Sequence, residues 1–417
     1  MKQKAPGPSL QELDEIRHAG RESKWNTALD HQAQQKKLGK FLGCLIGGAA
    51  GDALGYPVEF WTEDMLHHTY GAKGISEYAL RNGVAQISDD TQMTLFTANG
   101  LLFATTRGCL RGILGSYPSY VAEAYREWYK TQTASYPAAK RFISCWLLNV
   151  PELYARRAPG NTCLAALEEG GDGGIISPIN HSKGCGGVMR VAPVGLYFGS
   201  APMAGMAADL MAAEIAALTH GHPMGYIPAA LLAHMVRLLA HSDAISPREA
   251  VLDGLEAMRQ IFFWVEELPA FCRLIEKAVA LADAGSDDLQ AIHTLGAGWC
   301  GDEALAVAVY CTLRHSDNFD AALRAAVNHS GDSDSTGAIT GNLLGAHLGL
   351  SAIPEKYTQK LELLEVITEL AEDLYYDCLL NEYKAATEPR DLAWEQKYVY
   401  AKPPRRCNAN HIGKERS

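Results

Sequence analysis

Two stretches of the sequence, GCLIGGAAGDALG at residues 43–55 and GAITGNLLGAHLG at residues 337–349, carry a glycine at every fourth position. Glycine in a helix interior costs about 0.5–1 kcal/mol relative to alanine, so this many glycines need a compensating interaction. On a helix, a spacing of four residues lines the glycines up as one smooth ridge that another backbone can approach closely. We therefore predict that these two stretches, called here the glycine segments, are core helices packed against each other. This packing is expected to bring the N-terminal ends of both segments together, with their acidic residues.

The sequence around the glycine segments predicts helices and no sheet. Long alternating runs of β-branched residues, which are typical of strands, are missing. Several segments are rich in Ala, Leu, Met and Glu, which favour helices; they are residues 203–219, 227–241, 248–267, 302–314 and 355–381. We predict an all-α fold with one compact domain.

The two ends of the chain differ from this helical middle. Residues 1–37 are polar, with one short helical period, and we predict an N-terminal extension outside the core. Residues 38–386 form the predicted domain. Residues 387–417 are polar and become basic, and we predict a loosely ordered tail that Trp394 and Tyr398 are able to pin in part.

Charge and cysteine content exclude several classes of protein. With 37 basic and 48 acidic residues the formal net charge is −11, which argues against a general binder of nucleic acids or anionic membranes. The negative net charge does not exclude a small phosphorylated ligand, because bound metal ions can reverse the sign of the charge in an acidic pocket. The ten cysteines form no CxxC pair, and free thiols fit a reducing compartment. The N-terminus lacks the apolar core of a signal peptide, and no apolar run reaches the roughly 20 residues that span a bilayer. We predict a cytoplasmic protein.

Two acidic clusters stand at predicted helix starts, Ser88-Asp89-Asp90-Thr91 and Asp332-Ser333-Asp334-Ser335-Thr336. Either cluster alone is typical of a helix cap, whose side-chain oxygen accepts a free backbone N–H. Each is followed by an apolar face that must be buried, however, and buried neighbouring carboxylates need compensating charge. Oxygen ligands from Asp, Ser and Thr favour Mg²⁺, Mn²⁺ or Ca²⁺ over Zn²⁺. The second cluster does not begin an EF-hand, because no glutamate stands at the twelfth loop position.

A glycine loop and a histidine pair are further candidates. The loop SKGCGGVMR at residues 182–190 has backbone N–H groups that could cradle a pyrophosphate. It matches neither a Walker loop nor the dinucleotide fingerprint, and a plain tight loop explains it equally well. His220 and His222 end a predicted helix, where an imidazole either caps the helix or contacts a ligand.

These blocks, taken in order, resemble the ADP-ribosylglycohydrolase family, which includes the dinitrogenase reductase-activating glycohydrolase and the ADP-ribosyl-acceptor hydrolases. Six blocks match in the family's order between about residues 38 and 381, which is far more specific than any single block. They are GCLIGGAAGDALGYPVE (43–59), SDDTQM (88–93), GCGGVMRVAP (184–193), THGHP (219–223), GWCGDEALAV (298–307) and NHSGDSDSTGAITGNLLG (328–345).

The resemblance implies an orthogonal multi-helix fold that holds two divalent cations, Mg²⁺ or Mn²⁺. Carried over by position, the metal ligands are Ser88, Asp89, Asp90, Asp332, Asp334 and Ser335. Many members have threonine at the first and last of these positions, and serine keeps the hydroxyl oxygen. The resemblance also implies that Glu59 lies near the metals and that His220 lies near the ribose. It assigns the pyrophosphate to the loop, through Ser182, Gly184, Gly186, Gly187 and Met189.

The implied activity is hydrolysis of the bond between ADP-ribose and a modified protein side chain, with arginine as the favoured acceptor and with serine-linked, nucleic-acid and free ADP-ribose conjugates left open. Cleavage of a glycosidic bond builds positive charge at the anomeric carbon. Bound metal ions lower the pKa of a water molecule, and a nearby carboxylate takes its proton. Glu59 and Asp334 are both candidates for this general base, and the sequence does not rank them.

Two other functions stay open. Some bacterial members that resemble this chain serve as immunity proteins against ADP-ribosyltransferase toxins, so residues 1–37 could dock on a toxin and make the protein a stoichiometric inhibitor, with or without hydrolysis. A disordered or self-packing extension explains residues 1–37 equally well. A two-metal phosphohydrolase is the weaker alternative. The predicted partners are an ADP-ribosylated protein and, through residues 1–37, a toxin.

Overall fold

The structure is a computed structural model that describes residues 31–113, 115–138, 144–199, 202–378, 380 and 389–402. Within these residues the chain forms α-helices, short 3₁₀ turns and isolated β-bridges but no β-strand, so the predicted all-α fold is confirmed. Residues 1–30 of the predicted extension and residues 403–417 of the predicted tail lie outside the described part of the chain. The helices are α1 (His31–Gly55), α2 (Glu63–Tyr70), α3 (Asp89–Arg111), α4 (Tyr117–Thr133), α5 (Asn161–Glu168), α6 (Ala192–Tyr197), α7 (Pro202–Ala217), α8 (Pro223–His241), α9 (Pro247–Ile261), α10 (Leu268–Asp283), α11 (Asp288–Leu295), α12 (Gly301–Arg314), α13 (Phe319–Val327), α14 (Ser333–Leu348), α15 (Leu364–Tyr376) and α16 (Pro389–Tyr398).

The two glycine segments lie in α1 and α14, which pack backbone to backbone as predicted. A Cβ added at Gly43 would lie 2.5 Å from the carbonyl oxygen of Gly345, and one added at Gly51 would lie 2.0 Å from that of Gly337. The order of these pairs shows that the two helices run antiparallel. The expectation that the N-terminal ends of both segments meet is therefore wrong. The C-terminal end of α1 meets the N-terminal start of α14.

One predicted helix is shortened by several residues and another is interrupted in the structure, while the others shift only slightly at their ends. The segment predicted at residues 248–267 ends at Ile261, and α10 begins at Leu268 with a proline in its first turn, a position that proline favours. The segment predicted at residues 355–381 is divided by Leu363, whose φ of 58° is left-handed. A leucine gives no warning of such a break, because left-handed backbone normally favours glycine.

The centre of the domain is α8, which is buried along almost its whole length. Two helical stretches, residues 32–58 and Pro223–His241, are long and apolar enough to cross a membrane. Of the apolar 18-residue window within each stretch, 83% and 94% respectively are nevertheless buried inside the fold, which is the pattern of core helices in a globular protein.

Part of the predicted tail is an ordered helix. In α16, Trp394 and Tyr398 are buried against the domain. The Trp394 indole N–H donates a hydrogen bond to Thr106 Oγ1 at 2.9 Å, and the Tyr398 hydroxyl donates one to Asp373 Oδ2 at 2.6 Å. The two aromatic side chains thus pin this segment, and the loosely ordered tail predicted from residue 387 does not apply to α16.

Candidate active site

Carboxylates from four parts of the chain meet in the core. They come from the C-terminal end of α1, from the residues just after α1, from the start of α3 and from the start of α14. A Cβ added at Gly55 would lie 2.2 Å from the carbonyl oxygen of Ser333, so the close α1–α14 contact brings two of these parts together. Six residues supply these carboxylates, and each of them is at most 7% exposed: Asp52, Glu59, Asp89, Asp90, Asp332 and Asp334.

Asp52 holds the first acidic cluster in place. Each of its carboxylate oxygens accepts a hydrogen bond from the Ser88 backbone N–H at 3.0 Å, and Oδ2 also accepts from the Thr91 N–H at 3.1 Å and from the Thr91 hydroxyl. Burial raises the pKa of Asp52 to about 6, although these hydrogen bonds lower it. Sequence reasoning missed this residue. A single aspartate inside an apolar, glycine-rich helix was the available signal, since a buried carboxylate needs partners.

The two acidic clusters share one centre. Carboxylate oxygens of Glu59, Asp332 and Asp334 all lie within 4.8 Å of one another. Burial raises the pKa of Asp334, and repulsion from Asp90 raises it further. Burial raises the pKa of Asp90, and the Ser335 side chain lies close enough to that carboxyl to offset part of the rise, so the start of α14 lies beside the start of α3. The convergence predicted for the two clusters is therefore present.

This centre fits hard divalent cations. Its donors are oxygens, which Mg²⁺ and Mn²⁺ prefer. Among the described residues, Glu59 Oε2 and Asp90 Oδ2 are buried without a hydrogen-bond partner, an arrangement that is costly unless a cation or a bound water molecule meets the oxygen. Burial, followed by repulsion between the carboxylates, raises the pKa of Glu59 to about 9. Burial likewise raises the pKa of Asp89 to about 8.

A cavity of about 420 Å³ opens over the acidic centre. It is lined by five of the six predicted metal ligands, Asp89, Asp90, Asp332, Asp334 and Ser335, and by Glu59. The sixth, Ser88, lies behind them as the N-cap of α3, where its Oγ accepts the Asp90 N–H at 3.2 Å. The lining also contains residues that sequence reasoning did not select, notably Phe60, Arg156, Thr162, Cys163 and Trp299.

The glycine loop forms another wall of the cavity through Gly184, Gly186 and Met189. Ser182 stands one layer behind this wall, with its Oγ 3.1 Å from Thr162 Oγ1. Gly187 faces away from the cavity, because a Cβ there would lie 2.4 Å from the Gly225 carbonyl oxygen. Gly187 therefore serves close packing onto α8, and its predicted ligand contact has no direct counterpart in the cavity lining.

His220 and His222 have different roles. His222 caps the N-terminus of α8, where its Nδ1 accepts the Met224 N–H at 3.0 Å, so it does not cap the end of the preceding helix. His220 is 1% exposed and lines the cavity. Its Nδ1 lies 2.8 Å from Thr219 Oγ1, which also accepts a hydrogen bond from Arg190 at 2.6 Å.

The environment of His220 keeps its ring neutral. Burial, reinforced by the Arg190 charge, lowers the pKa of His220 to about 3. The Arg190 guanidinium can only donate to Thr219, so the Thr219 hydroxyl still has its own proton to donate. It donates this proton to His220 Nδ1, because the ring nitrogen is a better acceptor than a nearby thiol. The remaining ring proton is then on Nε2, the atom next to the glycine loop.

In the absence of divalent cations, the folded protein is expected to lose stability as the pH rises from about 4 to about 9. The pKa values of Asp52, Asp89 and Glu59, about 6, 8 and 9, lie above the value near 4 of an unfolded chain. The folded state binds protons that the unfolded chain has released, so the free energy of unfolding falls across this window. Thermal unfolding with EDTA and with Mg²⁺ at about pH 5, 7 and 9 measures this. If the thermal unfolding midpoint did not change with pH in EDTA, or did not rise with Mg²⁺ at the highest pH, the buried carboxylates would not form a cation-binding centre.

Comparison with known proteins gives matches along most of the chain. The family model described as ADP-ribosylglycohydrolase matches residues 33–384. The ADP-ribosylarginine hydrolase Tri1 of Serratia proteamaculans is 28% identical over 82% of this chain and 81% of its own length. The ADP-ribosyl-(dinitrogen reductase) glycohydrolase of Rhodospirillum rubrum is 27% identical over 77% of this chain and 90% of its own length. A solved structure described as an ADP-ribosylglycohydrolase-related protein complex superposes with a TM-score of 0.56 and 25% identity, over 82% of this chain and 99% of that one.

Proposed function

This chain belongs to the ADP-ribosylglycohydrolase family, and we propose on that premise that it is a cytoplasmic enzyme that removes ADP-ribose from protein side chains, with arginine as the favoured acceptor. The observation that carries this proposal is the buried centre in which both acidic clusters meet beneath a cavity of about 420 Å³. The similarity to the Serratia relative, which is named an ADP-ribosylarginine hydrolase, supports the choice of arginine.

The acidic centre is proposed to hold two divalent cations, Mg²⁺ or Mn²⁺. The oxygens that would bind them belong to Asp89, Asp90, Asp332, Asp334 and Ser335, with Ser88 behind them as a support for the turn. When bound, such ions would supply Lewis-acid charge, which lowers the pKa of a water molecule and stabilises negative charge on the ligand.

Glu59 is the better placed of the two candidate general bases. Asp334 is 2% exposed, and its Oδ1 accepts the Ser335 N–H at 2.9 Å, which fixes it at the start of α14. Glu59 Oε2 has no hydrogen-bond partner among the described residues, and Glu59 belongs to no helix start. We assign the proton transfer to Glu59 and metal binding to Asp334.

The proposed reaction is a single hydrolytic displacement. The water oxygen forms a bond to the anomeric carbon while the bond from that carbon to the guanidine nitrogen breaks. With cations bound, their charge would lower the pKa of Glu59 from its raised value, so that the ionised carboxylate accepts one water proton. The departing nitrogen keeps the bonding electron pair and receives that proton from Glu59, so the side chain leaves as a guanidinium. The products are ADP-ribose and the unmodified side chain.

The glycine loop and His220 are proposed to hold the pyrophosphate and the adjoining ribose. A Cβ at Gly186 would lie 2.9 Å from His220 Cε1, so only glycine leaves room for this close approach of loop and ring. With its proton on Nε2, neutral His220 donates a hydrogen bond to a ligand oxygen. A neutral donor keeps that role across the physiological pH range, because its pKa of about 3 is far below it.

The alternative of a stoichiometric toxin inhibitor depends on residues 1–37, of which residues 1–30 lie outside the described part of the chain. It stays a prediction, as does the toxin partner. Deletion of residues 1–37 separates the two functions, because an inhibitor would lose toxin binding while the enzyme would keep its turnover.

A substrate panel tests the proposed function. Arginine-, serine- and nucleic-acid-linked ADP-ribose are each incubated with Mg²⁺ or Mn²⁺ or with EDTA, and the products are identified by mass spectrometry. We expect intact ADP-ribose from the arginine-linked substrate and none with EDTA. Release of AMP instead would favour a two-metal phosphohydrolase, and release of nothing would contradict the proposal.

A further inference from the structure

An exposed pair of aromatic side chains stands at the cavity over the acidic centre. Phe60 is 71% exposed and Trp299 is 42% exposed, yet both line the cavity. Their rings are stacked, with centroids 5.6 Å apart and planes 16° apart. Large apolar side chains gathered at an opening, rather than scattered singly, are typical of recognition surfaces.

The pair is attached to the acidic centre on both sides. Phe60 directly follows Glu59 in the chain. Trp299 directly follows Gly298, where an added Cβ would lie 3.3 Å from the Cβ of Asp332. The rings therefore stand next to the carboxylates at which the glycosidic bond is to be broken.

The exposure of the rings places them where an acceptor protein has to approach. A cavity of about 420 Å³ cannot admit a folded protein, so only the modified side chain enters it. The wall formed by Gly186 and His220 is buried, whereas Phe60 and Trp299 face solvent. An ADP-ribose group bound along the buried wall leaves its acceptor at the exposed rim.

The chemistry of this rim suits a cation. The acidic residues of the cavity are assigned to the divalent cations and to proton transfer, so the aromatic faces are what the rim offers to a cation, and Arg156 is the one lysine or arginine among the described residues of the lining. Guanidinium groups stack on aromatic faces and are weakly hydrated, so they bind such a surface at little desolvation cost. A ribosylated arginine keeps its positive charge, whereas a ribosylated serine is neutral and has no planar group to stack.

We propose that Phe60 and Trp299 receive the guanidinium of an ADP-ribosylated arginine and so select arginine over serine as the acceptor. This inference rests on the proposed hydrolase function and adds to it the residues that determine the acceptor class. Aromatic replacements at either position preserve the surface, while aliphatic replacements of similar volume remove its attraction for a cation.

The test compares Phe60→Leu, Trp299→Leu and the double variant with Phe60→Tyr. Phe263→Leu is the matched control, because Phe263 is 52% exposed and is absent from the lining of this cavity. For each protein, kcat/KM is measured on arginine-linked and serine-linked ADP-ribosyl peptides, and the Kd of free ADP-ribose is measured by calorimetry. We expect each leucine variant to lose about fivefold in kcat/KM on the arginine-linked peptide, in line with one cation–π contact. Phe60→Tyr and Phe263→Leu are expected to stay close to the parent.

The Kd of free ADP-ribose shows whether the two rings contact the acceptor side chain or the adenosine end of the ligand. An unchanged Kd in the leucine variants supports the proposal, because free ADP-ribose has no acceptor. A Kd that weakens as much as kcat/KM overturns it, since the rings would then hold adenosine. A parent enzyme that cleaves the serine-linked peptide but not the arginine-linked one also overturns it, while leaving the hydrolase function intact. A parent enzyme that cleaves neither peptide contradicts the proposed function itself.

Discussion

The variant Asp334→Asn is expected to lower kcat/KM for the release of ADP-ribose by about 10³-fold or more, since loss of a metal ligand costs more than the 10- to 100-fold of an outer-shell partner. Asp334 lies within 4.8 Å of Glu59 and Asp332, and its carboxylate also interacts with Asp90. Asparagine keeps the shape of the side chain and its oxygen but removes one negative charge. The centre then binds a divalent cation less tightly, and the reaction loses the charge stabilisation that the cation supplies.

The same variant is expected to be more stable than the parent when both are kept in EDTA. Burial and repulsion from Asp90 raise the pKa of Asp334, so its charge destabilises the folded state unless a cation compensates it. Asp172→Asn is the matched control, because that side chain is 79% exposed and pairs with Arg126 on the surface. Near-parental activity of Asp334→Asn would disprove the metal mechanism.

The variant Gly51→Ala is expected to lower the free energy of unfolding by about 3 kcal/mol or more, at the upper end of overpacking costs. The added methyl group would lie 2.0 Å from the Gly337 carbonyl oxygen and 2.3 Å from its carbon, so α1 and α14 must move apart. This movement also separates Asp52 from the start of α14, and we expect activity to fall with stability. Denaturant unfolding followed by circular dichroism gives the change.

Gly39→Ala is the control for this variant within the same helix. Nothing lies within 4 Å of a Cβ at Gly39, and its backbone is helical. Alanine favours a helix over glycine by about 1 kcal/mol, so Gly39→Ala is expected to be neutral or slightly stabilising. Equal stability of the two variants would show that the glycine ridge does not hold α1 against α14.

The sequence predicted much of the architecture, because its signals were strong and local. Four-residue glycine spacing predicted the backbone contact between α1 and α14, and acidic residues at helix starts predicted the centre. Spacing alone has no direction, however, so it could not show that the helices run antiparallel. That direction decides which ends meet, and it brings Asp52 rather than the start of α1 to the acidic residues.

Other features escaped prediction because they depend on tertiary contacts. The resemblance assigned Gly187 to the ligand, but its missing side chain serves contact with Gly225. Phe60 and Trp299 lie far apart in the chain, and only the fold stacks their rings. The left-handed φ of 58° at Leu363 has no signal in the residue type, because leucine does not favour it.

Anomalous diffraction from crystals grown with Mn²⁺, recorded at an energy where manganese scatters anomalously, shows whether the two acidic clusters share their cations. We expect anomalous peaks between the clusters, with one ion within about 2.2 Å of a carboxylate oxygen from Asp90 and one from Asp334. Peaks bound by only one cluster, or a centre that stays without manganese, would contradict this expectation.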